Sequence, residues 1–163
     1  MTTNDRAPVL AALRGWMDAA GLDGLIVPRT DAHQSEVTAP RDDCLRYLSG
    51  FSGSAGLALV LRDRALLFVD GRYQVQVRQE TDPALFEPHH LHNDPLDRWL
   101  AEHARPGWRI GIDTMLASGG LHDRLAAGCK AAGAELVALG DDPFDAVWRD
   151  RPPRPLGAIR AMP

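Results

Sequence analysis

The sequence has no long apolar segment, no excess of positive charge and no closely spaced cysteines, and each absence excludes a class of protein. No window contains the roughly 18–20 apolar residues that a membrane helix requires, and residues 1–12 lack the basic run followed by apolar residues that begins a secretory signal. The net charge of −4 and the pI near 5.8 argue against a nucleic-acid partner. We therefore predict a cytoplasmic protein with no membrane and no nucleic-acid partner.

Cysteine is scarce as well. The two cysteines, Cys44 and Cys129, belong to no Cys-x-x-Cys or Cys-x-His pattern. Both have apolar neighbours, so we predict that they are reduced, buried and structural. Free thiols of this kind indicate a reducing compartment, which agrees with a cytoplasmic location.

The sequence does contain an interleaved series of helix and strand patterns. Its 163 residues, 45% of them apolar, suit one compact domain with a core of its own. The alternation of elements predicts an α/β fold, with a mixed β-sheet flanked by α-helices. Helices are predicted from Pro8 to Gly21, from Asp94-Pro95 to Pro106 and from Leu121 to Gly133, and strands over 22–28, 56–62, 65–69, 84–87, 109–113 and 135–139.

The C-terminal end of the chain differs from the rest. Arg151-Pro-Pro-Arg-Pro155 cannot continue a helix or a central strand. We therefore expect residues 1–150 to form one domain, and residues 151–163 to be an interdomain linker with the start of another domain. Asp141 and Asp142 precede a proline, which is typical of a helix N-terminal cap rather than of catalytic carboxylates.

A glycine-rich run, Ser49-Gly-Phe-Ser-Gly-Ser-Ala-Gly56, allows two interpretations. Exposed backbone N–H groups in such a run can bind a phosphate. A phosphate loop, however, opens a helix, whereas this run leads into a strand pattern and contains no lysine. The other interpretation, which we favour, is that the glycines permit positive φ angles and close backbone packing.

Asp70-Gly-Arg-Tyr73 follows an apolar strand directly. Asp-Gly is a turn signal. An arginine at a strand end presents a planar, permanently charged group that suits carboxylates and carbonyl oxygens. From the residues alone, a ligand-binding arginine and a surface ion pair are equally good interpretations.

Two further polar clusters allow a catalytic or metal-binding interpretation. His89-His90-x-His92 could hold a metal, but no carboxylate or thiolate completes a site at a recognised spacing. Pro88 and Asn93-Asp94-Pro95 make the segment loop-like, so solvated edge histidines are favoured. The segment 31–36, Asp-Ala-His-Gln-Ser-Glu, contains hydrolase residue types. Catalytic triads are assembled from distant segments, so a polar loop is the better interpretation.

Taken in order, five segments resemble the N-terminal domain of Xaa-Pro aminopeptidases (aminopeptidase P) in the creatinase/prolidase superfamily. The resemblance runs from about Leu10 to Pro155 and is closer to the long, three-domain form of the enzyme. It implies a mixed sheet flanked by helices and a helix that begins near Tyr73. The segments are 31–36, 48–56, Asp70-Gly-Arg-Tyr73 with Gln76, 110–113, and 147–155 (Val-Trp-Arg-Asp-Arg-Pro-Pro-Arg-Pro).

The resemblance also implies which domain binds the substrate and which domain hydrolyses it. It implies that Arg72, His33 and Glu36 help to bind a peptide with proline at its second position. It places hydrolysis in a C-terminal catalytic domain with two divalent metal ions, which we expect to be manganese, so this chain is expected to supply no catalytic residue and no metal ligand. Relatives often form homodimers, which makes a homodimer possible here. Val37 departs from the pattern, since relatives often have tyrosine there.

Two other functions remain open from the sequence. One is a free-standing α/β module that binds a small ligand or a protein partner. The other, which we favour least, is a phosphate- or nucleotide-binding domain built on residues 50–56.

Overall fold

A computed structural model describes residues 5–157. In that part of the chain six strands form one sheet in the order β4-β3-β2-β1-β5-β6. The strands are β1 Gly24–Pro28, β2 Gly56–Leu61, β3 Ala65–Val69, β4 Glu87–His90, β5 Arg109–Ile112 and β6 Glu135–Ala138. The helices are α1 Ala7–Ala19, α2 Cys44–Ser49, α3 Gln74–Glu80, α4 Leu96–His103, α5 Gly119–Ala131 and α6 Pro143–Val147, with 3₁₀ turns at Pro40–Asp42, Gly71–Tyr73 and Thr114–Leu116.

The sheet is mixed, as the sequence predicts. Strand β2 pairs antiparallel with both β1 and β3, whereas β3/β4, β1/β5 and β5/β6 are parallel pairs. Strand β2 therefore runs opposite to the other five. The carboxyl ends of those five strands and the amino end of β2 meet at one edge of the sheet.

Both faces of the sheet are covered. Along β3, Leu67 and Val69 belong to one buried cluster, and Leu66 and Phe68 belong to the other. This period of two is hidden in the sequence because both sets of residues are apolar, as expected for strands buried on both sides. Residues of α1, α2, α3 and α6 cover the first face, and residues of α4 and α5 cover the second.

The predicted strand over 84–87 is wrong. Leu85 and Phe86 both donate backbone hydrogen bonds to the carbonyl of Asp82, which makes this segment a turn. The strand begins at Glu87 instead and includes Pro88. A proline is tolerated there because β4 is an edge strand, where its missing N–H costs no ladder hydrogen bond.

The prediction at Tyr73 is confirmed. Tyr73, Val75 and Val77 alternate with polar residues, yet Gln74–Glu80 is the helix that the family resemblance implies. Helix α2 was not predicted. Its residues Leu45 and Leu48 are fully buried, but six residues are too short to display a helical period.

The last described residues, 151–157, contain no helix or strand. They are nevertheless attached to the domain, because the side chain of Arg151 is only 6% exposed and forms ion pairs with Asp142 and Asp145. Residues 158–163 of the predicted linker lie outside the described residues, so the domain boundary stays a prediction. None of the helices found in the described part of the chain is both long and apolar enough to cross a membrane.

Both cysteines are free and buried, as predicted. Burial raises the pKa of the Cys44 thiol to about 12 and that of Cys129 to about 11. Thiols with such pKa values stay protonated near neutral pH and are poor nucleophiles.

Candidate functional site

Five loops follow the strands that end at this edge of the sheet. They follow β1 (29–43), β3 (70–73), β4 (91–95), β5 (113–118) and β6 (139–142). In open α/β sheets, ligands bind outside the carboxyl ends of the strands. The three side chains that the sequence predicts for substrate binding, Arg72, His33 and Glu36, all lie on these loops.

Arg72 occupies the 3₁₀ turn after β3. Asp70, at the N-cap of this turn, accepts two hydrogen bonds through Oδ1, from the Arg72 backbone N–H at 3.0 Å and from its Nε at 2.8 Å. The Arg72 side chain is 72% exposed, and its guanidinium lies 5.4 Å from the ring centre of Tyr73. The arginine is thus paired within its own turn while most of its surface faces solvent.

Asp70 and Arg72 each stabilise the charged form of the other. The hydrogen bond from the Arg72 side chain, and then that from its backbone N–H, lowers the pKa of the Asp70 carboxyl to about 2. The same bond to Asp70 raises the pKa of the Arg72 guanidinium, and the carboxylate of Glu36 adds a smaller contribution. Asp70 is therefore ionised and Arg72 cationic at neutral pH, and Glu36 lies within electrostatic range of Arg72.

The loop that carries His33 and Glu36 is organised by Asp31. Its Oδ1 accepts backbone hydrogen bonds from His33 at 2.9 Å and from Ser35 at 3.0 Å. The bond from Ser35 is the main cause that lowers the pKa of Asp31. Gln34, between His33 and Ser35, has a φ of 56°, in the left-handed region. Asp31 therefore acts as a loop cap, which agrees with the interpretation of this segment as a polar loop.

The structure separates the three predicted residues into two groups. Glu36 is exposed and interacts electrostatically with Arg72. His33 is also exposed, but it lines a cleft of about 530 Å³ together with Arg154 and Leu156. No contact joins His33 to Arg72 among the described residues. Val37, where relatives often have tyrosine, is 84% exposed.

The glycine-rich run is held by hydrogen bonds with two side chains from the segment after β3, those of Tyr73 and Glu80. Ser52 donates to Glu80 from its backbone N at 2.8 Å and from its Oγ at 2.7 Å, and Ser54 Oγ lies 2.9 Å from Tyr73 Oη. Burial raises the pKa of Glu80, but the hydrogen bonds from Ser52 outweigh it and the pKa is lowered. The Ser52 N–H is thus already occupied, and the run enters β2 rather than a helix, which favours the structural interpretation.

A second cleft, of about 490 Å³, opens at the same edge of the sheet. Leu57, Leu96 and Leu125 form part of its apolar lining, and Gln34 and His92 contribute polar groups. His92 was considered only as part of the cluster His89-His90-x-His92 and not as a residue of this edge. No local signal in the sequence marked it, because the predicted strand ended at residue 87, whereas β4 ends at His90, two residues before His92.

The histidines after residue 88 have specific partners. His89 and His90 belong to the edge strand β4, as edge histidines, but their segment is a strand rather than a loop and they are half-buried rather than fully solvated. His89 Nδ1 lies 2.6 Å from Asp94 Oδ2, and the His89 ring stacks on Phe68 at 4.8 Å. Within residues 5–157 no three histidine, cysteine or carboxylate side chains are placed to hold a metal ion. A dinuclear metal centre does not fit this set of residues.

Comparison with a family model matches residues 10–146 to the creatinase/prolidase N-terminal domain. Among curated proteins, a probable Xaa-Pro aminopeptidase P of Pyricularia oryzae is 40% identical over 167 residues, covering 100% of this chain and 26% of that protein. Aminopeptidase P1 of Lotus japonicus is 38% identical over 94% of this chain and 24% of its own length. The chain thus spans about a quarter of the length of these curated relatives.

Solved structures show the same fold. The X-prolyl aminopeptidase of Caenorhabditis elegans, described as a cytosolic enzyme with a di-nuclear active site, superposes with a TM-score of 0.83 at 30% identity, covering 94% of this chain and 26% of that one. The N-terminal domain of the cytoplasmic peptidase PepQ of Mycobacterium tuberculosis gives a TM-score of 0.61 at 28% identity, covering 84% of this chain and 94% of its own.

Proposed function

This chain belongs to the creatinase/prolidase N-terminal domain family, and from that premise we propose that it is the non-catalytic N-terminal domain of a Xaa-Pro aminopeptidase. The observation that carries the proposal is the similarity to the Pyricularia oryzae protein along the whole chain, at 40% identity. Because the chain covers only 26% of that protein, we assign hydrolysis of the Xaa-Pro bond to a C-terminal catalytic domain of the complete protein.

In this proposal the domain forms one wall of the active-site entrance. The loops at the carboxyl edge of the sheet present Arg72 and Glu36 to a peptide whose second residue is proline. A guanidinium binds carboxylate and carbonyl oxygens through paired N–H groups, which suits a peptide backbone or its terminal carboxylate. His33, on the neighbouring cleft, would contact a more distant part of the substrate or the catalytic domain.

The metal ions belong to the other domain in this proposal. Two divalent ions, which we expect to be manganese, require several carboxylates and a histidine that converge, and residues 5–157 contain no such group. The description of the C. elegans enzyme as di-nuclear supports a two-metal centre in the complete protein. Its description as cytosolic supports a cytoplasmic location. The homodimer stays a prediction, which light scattering on the complete protein would check.

The test begins with the gene. We expect the reading frame to continue past Pro163 into a metal-binding domain, and a natural stop codon at that point would leave a free-standing binding module as the better explanation. We expect the complete protein with manganese to release arginine from the peptide Arg-Pro-Pro. Manganese- or cobalt-dependent release of arginine by this chain alone would contradict the assignment of hydrolysis to the C-terminal domain.

A further inference from the structure

We propose that His92 is a positioning residue for Arg72, acting through the carboxylate of Asp70. The three side chains form one connected unit at the ends of β3 and β4. The statement that the oriented arginine binds a peptide substrate rests on the proposed function. The orientation itself depends only on the contacts within this chain.

Asp70 uses its two oxygens for different partners. Oδ1 accepts from the backbone N–H and Nε of Arg72, and Oδ2 lies 3.1 Å from Nε2 of His92. An ionised carboxylate can only accept hydrogen bonds, so Nε2 of His92 carries the hydrogen. The Asp70 side chain is 18% exposed, so few waters can replace these donors. With both oxygens held, the carboxylate has one orientation, and it holds the Nε edge of the Arg72 guanidinium.

The end of β4 keeps His92 in place. Nδ1 of His90 lies 3.3 Å from the backbone N of His92 and 3.2 Å from that of Asn93, and it accepts a hydrogen bond from each. Nε2 of the same ring faces Gly71, where an added Cβ would lie 3.0 Å away. His90 therefore supports both the turn that carries His92 and the turn that carries Arg72.

The parallel pairing of β3 with β4 brings these turns together. Val69 is the register partner of His90, and the backbone N–H of Leu91 donates to the carbonyl of Val69 at 2.9 Å. Asp70 and Leu91 therefore leave the sheet side by side. His92, one residue further on, reaches the outer oxygen of Asp70.

This arrangement determines which part of Arg72 remains available. Its Nε is occupied by Asp70, and among the described residues no hydrogen bond or ion pair engages the terminal nitrogens Nη1 and Nη2. A guanidinium held by its Nε edge presents these two nitrogens in one plane, which suits bidentate binding of a carboxylate or a pair of carbonyl oxygens. Without His92, Asp70 can rotate and the plane of the guanidinium is no longer fixed.

The test uses NMR of the Arg72 Nε–Hε group in this chain, comparing wild type with His92→Ala and His92→Gln. The His92 side chain is 68% exposed, so its removal leaves no cavity in the core. In His92→Ala we expect the Arg72 resonance to shift and its hydrogen exchange to accelerate at least about twofold, the effect of one weakened hydrogen bond. His92→Gln keeps an N–H donor and should restore most of the wild-type behaviour. His103→Ala, an exposed histidine on α4, serves as the control.

An unchanged Arg72 resonance in His92→Ala would overturn the proposal. In the complete protein, we expect His92→Ala to raise KM for Arg-Pro-Pro and His92→Gln to raise it less, with no additional effect of His92→Ala once Arg72 is alanine. If the complete protein has no aminopeptidase activity, the proposed function fails, whereas the NMR comparison still decides whether His92 positions Arg72.

Discussion

The guanidinium of Arg151 forms an ion pair with the carboxylate of Asp142 at 2.6 Å, and only 6% of the arginine side chain is exposed. The same nitrogen, Nη1, lies 2.7 Å from Asp145, and Nε donates to the carbonyl of Arg41 at 3.0 Å. Near it the ring of Trp148 stacks on Tyr47, with centroids 4.1 Å apart. The start of the predicted linker is therefore fixed to the domain.

We expect Arg151→Ala to lower the free energy of unfolding by about 1–3 kcal/mol, because it leaves Asp142 without its charged hydrogen-bond donor and leaves Asp145 with Arg41 alone. Urea unfolding of this chain followed by circular dichroism measures the change. Arg154→Ala removes an exposed arginine three residues later and should change stability by less than about 0.5 kcal/mol. Equal effects of the two substitutions would show that the Arg151 contacts add nothing to stability.

Two glycines within helices should respond to alanine with opposite signs. An added Cβ at Gly128, in α5, would lie 2.3 Å from the backbone oxygen of Asp97, so Gly128→Ala forces α4 and α5 apart. We expect a loss of about 1–3 kcal/mol, the usual cost of overpacking. Gly15, in α1, has nothing within 4 Å of that position, so Gly15→Ala should stabilise by about 0.5–1 kcal/mol through helix propensity. Thermal unfolding of both variants tests the pair, and a stabilised Gly128→Ala would refute the close helix contact.

The acid stability of the chain should depend on Asp70. Its pKa is about 2 in the folded protein, mainly because the Arg72 side chain donates a hydrogen bond to it, against about 3.9 in an unfolded chain. The ionised carboxylate therefore stabilises the folded state above pH about 4, and this contribution is lost as the pH falls towards 2.

The variant Asp70→Asn lacks this titration. We expect its free energy of unfolding to fall less steeply than that of wild type between pH about 4 and 2, as measured by urea unfolding at each pH. Arg72→Ala should reduce the slope in the same direction, because it removes the main cause of the lowered pKa. Identical slopes for wild type and Asp70→Asn would contradict the role of Asp70.

The sequence predicts those parts of the fold whose signal is local. The strands 22–28, 56–62 and 65–69 are short apolar runs because both faces of the sheet are buried, and the structure confirms each of them. Helix α1 was predicted from its spacing and its terminal Pro8 and Gly21. Asp142 does cap a helix, accepting a hydrogen bond from the backbone N of Phe144 at 2.9 Å.

The remaining features depend on contacts between distant segments. The proline-rich sequence around Arg151 indicates a linker, but whether that side chain is buried depends on carboxylates nine and six residues earlier and on a carbonyl at residue 41. The pairing of His92 with Asp70 was missed for the same reason, since the sequence suggested only a histidine cluster at 89–92. Asp70 is 22 residues earlier than His92, and only the parallel pairing of β3 with β4 brings the two together.

The candidate site was predictable only in part. Glu36 and Arg72 were selected from the family resemblance, and the structure brings them within electrostatic range of each other. It does not join His33 to Arg72 among the described residues, since His33 faces the cleft lined by Arg154. Spacing along a loop cannot settle which way consecutive side chains point, because the left-handed conformation at Gln34 redirects the chain between them.

The proposed function is tested most directly by the role of Arg72 in substrate binding. Its exposed guanidinium should become enclosed when a peptide and the catalytic domain approach the carboxyl edge of the sheet. Truncating one partner of an enclosed charge pair costs about 2–4 kcal/mol, so we expect Arg72→Ala in the complete protein to lower kcat/KM for Arg-Pro-Pro by roughly 30- to 700-fold.

Arg78→Ala provides the matched control, since it removes the same charge from an exposed position on α3 that has no ion-pair partner among the described residues. We expect it to leave kcat/KM within about twofold of wild type, because surface charges away from a binding site contribute little. Arg72→Lys should recover only part of the activity, because an ammonium cannot bind two oxygens through a planar pair of N–H groups. If Arg72→Ala and Arg78→Ala have the same kcat/KM as wild type while metal content and folding are unchanged, the arginine does not contact the substrate.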